Sequence, residues 1–135
     1  MRTKPAVLAA LILLCAVPSV AGHHSFVVEY DINRPLTMAG VVSKFEWANP
    51  HAYLSVDVAD EGGTTTWIFQ LASPNVLERG GWTRLTLGVG DRITLQGYGG
   101  FAISTRGVVT SVTLPDGRAL VAGPGPARPD TASGT

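Results

Sequence analysis

Apolar and polar residues alternate in short runs through the middle of the chain, and turn residues separate the runs. Leu54, Val56 and Val58 alternate with polar neighbours, and Trp67 and Phe69 follow the turn residues 60–63. Successive side chains of a strand point to opposite faces, so this spacing predicts half-buried strands that form a hairpin. The same alternation predicts strands over residues 26–30, 41–47, 92–96 and 108–114, and a short strand over residues 118–121 that closes the sheet.

Within the second of these strands, Val41, Phe45 and Trp47 are predicted to share the buried face. Turn-forming residues at 31–35 are predicted to end the first strand. The glycine-rich residues 97–100 follow a strand without opening a helix, which predicts a flexible loop. Trp82 lies in an irregular segment and is compatible with either a core or a binding role.

One short helix is predicted to interrupt the strands over residues 73–80. Ser73 is a typical helix cap, Pro74 suits the first helical position, and Gly80 is a stop signal. Three strands, a helix and further strands form the order of the oligonucleotide- and oligosaccharide-binding fold (OB-fold). We therefore predict an all-β protein, a small, partly open barrel of five to six strands that resembles the OB-fold. A small antiparallel sandwich would give much the same alternation.

The beginning of the chain has the features of a secretory signal over residues 1–22. Arg2 and Lys4 precede an apolar run over residues 6–17, and small residues follow up to Gly22. The run is about 12 residues, whereas a membrane-spanning helix needs about 20, so a cleaved signal is predicted rather than an anchor. The processed protein would then be a periplasmic or secreted domain over residues 23–122 with a disordered tail over residues 123–135, and no membrane contact.

Charge and cysteine content narrow the candidate functions. Removal of Arg2 and Lys4 leaves eight basic against ten acidic residues and no basic cluster, which argues against a nucleic-acid partner. The single cysteine, Cys15, lies within the predicted signal, so no disulfide is expected in the processed chain.

Several motifs resemble a family of small exported bacterial proteins that is catalogued as a domain of unknown function. The resemblance implies a bacterial periplasmic or secreted location and brings no established activity. In those relatives an alanine directly precedes the paired histidines, whereas Gly22 intervenes here. The motifs that carry it are His23-His24-Ser25-Phe26, Tyr30-Asp31, Arg34-Pro35, Glu46-Trp47-Ala48-Asn49-Pro50-His51, Ser73-Pro74-Asn75, Gly81-Trp82-Thr83, Gly90-Asp91 and Leu114-Pro115-Asp116-Gly117-Arg118.

All three histidines, His23, His24 and His51, lie at positions that a metal ion can reach, which makes them the candidate metal ligands. Cleavage after Gly22 would give His23 a free amine beside its ring nitrogen, and His51 would add a third nitrogen. Such a T-shaped site suits copper and is similar to the histidine brace of copper oxygenases and copper carriers. Cleavage after Ala21 would instead place His24 third in the chain, where the amine, two backbone amides and its ring form a square plane for Cu(II) or Ni(II). Protons compete for these nitrogens, so acid should weaken either site.

Purely structural roles for the histidines stay open, because neighbouring side chains on a strand point to opposite faces. The alternative function is a metal-free periplasmic module that binds another exported protein or a small ligand. Its surface would include Asn49-Pro50, Trp82 and residues 98–101. No motif for a catalytic nucleophile or a phosphate-binding loop is present.

Overall fold

A computed structural model describes residues 30–123 of the chain. This part contains six strands and one short helix between the third and fourth strands. The elements are β1 (Tyr30–Glu46), β2 (Tyr53–Asp60), β3 (Gly63–Gln70), α1 (Pro74–Arg79), β4 (Arg92–Gly100), β5 (Arg106–Thr113) and β6 (Ala119–Val121). No helix among the described residues is long and apolar enough to cross a membrane.

The strands form one sheet in the order β3-β2-β1-β4-β5-β6, with antiparallel neighbours. A short parallel pairing of β3 with β5, at Ile68–Arg106 to Gln70–Val108, joins the two ends. Hydrogen bonds therefore run in a ring through five strands, although the ring is not a regular barrel. The predicted all-β class, with a small, partly open barrel and one short helix, is confirmed.

The closure of the ring differs from the prediction. The strand predicted over residues 118–121 is present as β6, but it pairs only with β5, at residues 111–113. The parallel pairing of β3 with residues 106–108 of β5 closes the ring instead. β3 and β6 thus pair with different parts of the same edge of β5. Alternation along a single strand does not predict which strands will pair.

The turn predicted at residues 31–35 is wrong, because β1 runs through these residues without a break. The register with β4 shifts between Tyr30 and Pro35, and Asp31 accepts a hydrogen bond from the backbone N–H of Asn33 at 2.9 Å. Turn-forming residues are tolerated here because a bulge interrupts the ladder and residues 32–35 are exposed.

A second bulge in β1 changes which valine is buried. Val42 pairs with Val56 and Lys44 with Ser55, so Ser43 is an extra residue on β1. Val42 is consequently buried, with 1% of its surface exposed, whereas Val41 is only half-buried. The prediction for Val41 is wrong, because one inserted residue reverses the alternation on one side of it. Phe45 and Trp47 pack against the core as predicted.

The loop predicted at residues 97–100 is also wrong, because these residues form the end of β4. A Cβ on Gly97 would lie 1.9 Å from the carbonyl oxygen of Val108, and one on Gly107 would lie 2.6 Å from that of Tyr98. Glycine is required here by the close approach of two strand backbones rather than by a turn.

The helix begins and ends where predicted. Ser73 is the N-cap residue and Pro74 stands in the first turn, although the Ser73 side chain makes no capping hydrogen bond. The Ser73 carbonyl instead accepts the N–H of both Val76 and Leu77 at 3.0 Å. Gly81, with φ of 92°, takes the left-handed conformation after the helix. Leu77 anchors α1 in the core.

Trp82 belongs to the core, with 1% of its surface exposed. Its indole Nε1 donates to the Val121 carbonyl at 2.8 Å, and its ring centroid lies 6.0 Å from that of Phe45.

The core includes residues from the strands and Leu77 from α1. Its largest fully buried side chains are Trp82, Phe69, Leu54, Leu71, Leu77, Leu95, Val42, Val56, Val108, Val109 and Val112.

Candidate functional site

His51 lies in the connection between β1 and β2 and is half-buried. Its Nδ1 is 3.2 Å from the carbonyl oxygen of Leu71. A carbonyl oxygen can only accept, so the ring donates through Nδ1–H, and Nε2 carries the lone pair of the neutral ring. This arrangement orients a histidine for bonding a metal ion or a ligand donor through Nε2.

Backbone hydrogen bonds beyond the ends of β2 and β3 place His51 beside Leu71. The N–H of Leu71 donates to the Ala52 carbonyl at 2.9 Å, and the N–H of Ala52 donates to the Ala72 carbonyl at 3.1 Å. Ala52 and Leu71 are buried, so this bridge is anchored in the core. The hairpin of β2 and β3 therefore determines the position of the Leu71 carbonyl that the His51 ring contacts.

The beginning of β1 reaches the same end of the hairpin. The hydroxyl of Tyr30, the first described residue, donates to Gln70 Oε1 at 2.9 Å. Gln70 directly precedes Leu71, whose carbonyl holds the His51 ring. Gln70 thus contacts the first described residue, and its neighbour Leu71 contacts His51 in the Asn-Pro-His corner.

The other two predicted metal ligands, His23 and His24, lie outside the described residues, as do the predicted signal and all but the first residue of the predicted tail. Between residues 30 and 123, no group of three or more His, Cys, Asp or Glu side chains could hold a metal ion. A site with three or more such ligands that includes His51 therefore needs ligands from beyond that range.

A cavity of about 550 Å³ opens beside His51, between the Asn-Pro-His corner, α1 and β6. Its walls are mostly apolar and include Pro50, Val76, Leu77 and Val121. Val76 and Val121 expose 47% and 69% of their surface, a high fraction for aliphatic side chains. We call this space the helix cavity.

A second cavity, of about 420 Å³, lies against the outer face of β2 and β3 under the loop of residues 101–105. Tyr53, Gln70, Phe101 and Arg106 are among its lining residues. We call this space the loop cavity. Sequence reasoning missed Tyr53, Gln70 and Arg106, because nothing in the local pattern connects residues of β2 and β3 with the start of β5.

The predicted metal-free binding surface is not one surface. Pro50 lines the helix cavity, Phe101 lines the loop cavity, and Trp82 is buried in the core. Two separate candidate sites replace the single predicted one.

The fold and cavities define a small all-β domain with a ring of hydrogen bonds through five strands and one short helix. The model of a family described as "Family of unknown function (DUF6152)" matches residues 10–113. The chain belongs to this family, which confirms the resemblance predicted from its motifs. No curated protein and no solved structure matches the chain significantly.

Proposed function

We propose that this protein is an exported, periplasmic or secreted module that binds one copper ion through His51 and nitrogen ligands at the beginning of the processed chain. The orientation of the His51 ring carries this proposal. Because Nδ1–H donates to the Leu71 carbonyl, the lone pair of Nε2 is available to a metal ion without rearrangement of the ring.

Chain length supports the participation of His23. Tyr30 lies seven positions after His23 in the sequence, and seven extended residues span at most about 25 Å. Tyr30 is bonded to Gln70, next to the residue that holds His51. This length is compatible with a His23 amine and ring nitrogen that meet the Asn-Pro-His corner, and copper favours such nitrogen ligands.

The experiment uses protein purified from an export-competent host, with the N-terminus identified by mass spectrometry. If cleavage follows Gly22, we expect one equivalent of Cu(II) with nitrogen hyperfine structure in electron paramagnetic resonance. His51→Ala should weaken binding at least tenfold and remove one nitrogen coupling. Asn49→Ala is the matched control, because it changes the same exposed corner and should leave binding intact.

Other outcomes separate the alternatives. Cleavage after Ala21, with binding that depends on His24 and ignores His51→Ala, would establish the square-planar site and exclude His51. A complete lack of Cu(II) binding by the processed protein would overturn the proposal.

The second candidate function is a metal-free binding module for a small ligand or an exported partner protein. The helix cavity favours it, because its mostly apolar walls resemble those of small-molecule sites. A Val76→Asp variant, which places a carboxylate in that cavity, should abolish the binding of an apolar ligand.

A further inference from the structure

The loop cavity combines apolar walls with hydrogen-bond donors. Tyr53 and Gln70 are direct partners across β2 and β3, so both side chains lie on the outer face of the sheet. Phe101 and Ile103 form the opposite wall and expose 58% and 49% of their surface. Large apolar side chains of a loop that remain this exposed beside a cavity are typical of ligand sites.

Two side chains that line the loop cavity, Gln70 and Arg106, can donate hydrogen bonds. The Tyr30 hydroxyl donates to Gln70 Oε1 at 2.9 Å, which fixes the amide and leaves its NH₂ group to donate elsewhere. Arg106 is the one charged residue among the described lining residues, and a guanidinium group is a hydrogen-bond donor. The ion pairs among the described residues join Lys44 to Glu46 and Arg118 to Asp116, so Arg106 has no carboxylate partner there.

We propose that the loop cavity binds a small organic anion with a flat, apolar body, such as an aromatic carboxylate. The anionic group would meet Arg106 and the Gln70 amide, and the ring would lie between Tyr53 and Phe101. A volume of about 420 Å³ accommodates a compound of one or two rings. No described histidine lines this cavity, so the proposed contacts of the anion do not include the His51 ring.

Charge complementarity selects this ligand class over neutral and cationic compounds. A carboxylate can accept two parallel hydrogen bonds from a guanidinium group, which adds geometric specificity to attraction. None of the described lining residues carries a carboxylate that would repel such a ligand or attract a cation. Nucleic acid is a poor match, because one arginine cannot track a phosphate backbone.

The test compares two probes with the same ring system, 2-naphthoate and its neutral alcohol 2-naphthalenemethanol, by amide chemical-shift titration of the processed protein. We expect saturable binding of naphthoate, at least tenfold tighter than that of the alcohol, with the largest shifts at residues 53, 70 and 100–106. Arg106→Met should remove the preference for naphthoate. Phe101→Ala should weaken the binding of both probes.

Arg92→Met is the matched control, because Arg92 is an exposed arginine on β4 that lines a different cavity. It should leave both affinities unchanged. Equal affinity for the two probes, retention of the preference in Arg106→Met, or shifts confined to the helix cavity would each overturn the proposal.

Discussion

The indole Nε1 of Trp82 donates a hydrogen bond to the backbone carbonyl of Val121 at 2.8 Å. This bond joins the segment after α1 to β6, two parts of the chain that lie 39 residues apart. Because Val121 also lines the helix cavity, the contact sets one wall of a candidate site. The sequence is compatible with either a core or a binding role for Trp82, and the structure shows that it is a core residue.

Replacement of Trp82 by phenylalanine should destabilise the protein. The variant removes the hydrogen bond to the Val121 carbonyl, which contributes about 0.5–1.5 kcal/mol, and it also removes part of a buried ring. Urea unfolding followed by circular dichroism measures the loss. Trp67→Phe is the control, because Trp67 is only partly buried and phenylalanine can keep the stacking with Phe69. An equal loss in both variants would contradict a specific role for the hydrogen bond.

Replacement of Gly97 by alanine should be severely destabilising. The added methyl group would lie 1.9 Å from the Val108 carbonyl oxygen, and neither backbone can move without breaking the pairing of β4 with β5. We expect a loss above about 2 kcal/mol, as in strained overpacking. Thermal unfolding compares Gly97→Ala with the control Gly88→Ala. The added Cβ of the control would lie 3.9 Å from Asp91 Oδ2, an ordinary van der Waals distance. A wild-type melting temperature for Gly97→Ala would show that this strand pairing is wrong.

The two neighbouring valines of β1 should respond differently to truncation. Val42→Ala empties a position in the core and should cost about 2 kcal/mol. Val41→Ala removes a half-buried side chain beside it and should cost clearly less. Chemical unfolding of the two variants tests the bulge at Ser43 directly, since a regular strand over these residues predicts the opposite order.

The neutral ring of His51 should carry its proton on Nδ1. The Leu71 carbonyl can only accept, so the other tautomer would lose the hydrogen bond at 3.2 Å. Long-range proton–nitrogen correlation spectra of the metal-free protein distinguish the two ring nitrogens. Observation of the Nε2–H tautomer would remove the lone pair on which the proposed copper ligand depends.

The carboxyl group of Asp116 should titrate below its ordinary pKa of 3.8. The backbone N–H of Arg118 donates to this carboxylate at 3.0 Å, and its Nε does so at 2.8 Å, and both bonds lower the pKa. A folded pKa below the unfolded one stabilises the protein above the unfolded value, and this contribution disappears as the pH falls through the folded value. The effect on stability is small because the group is exposed.

A carbon-detected titration of the aspartate side chains measures the Asp116 pKa. Arg118→Met should raise it toward 3.8 without reaching that value, since the backbone donor remains. Arg84→Met is a control that should leave it unchanged. A wild-type midpoint at or above 3.8 would show that this turn does not hold in solution.

Local patterns were sufficient for the fold class and for elements such as β2 and α1, although they failed at residues 31–35 and 97–100. The alternation at Leu54 and Val56 predicts a half-buried strand, and Ser73-Pro74 predicts the start of a helix, because both signals depend on neighbouring residues alone. The Asn-Pro-His motif likewise singled out His51 as a candidate ligand.

Tertiary structure decided the features that depend on residues far apart in the chain. The bulge at Ser43, the need for glycine at Gly97 and the closure of the ring by β3 and β5 each arise from the fit of one backbone against another. The same holds for the Nδ1 bond from His51 to Leu71 and for the grouping of Tyr53, Gln70 and Arg106. A period of two residues specifies the faces of a strand, but an inserted residue or a distant partner changes which atoms meet, and only the folded chain brings those atoms together.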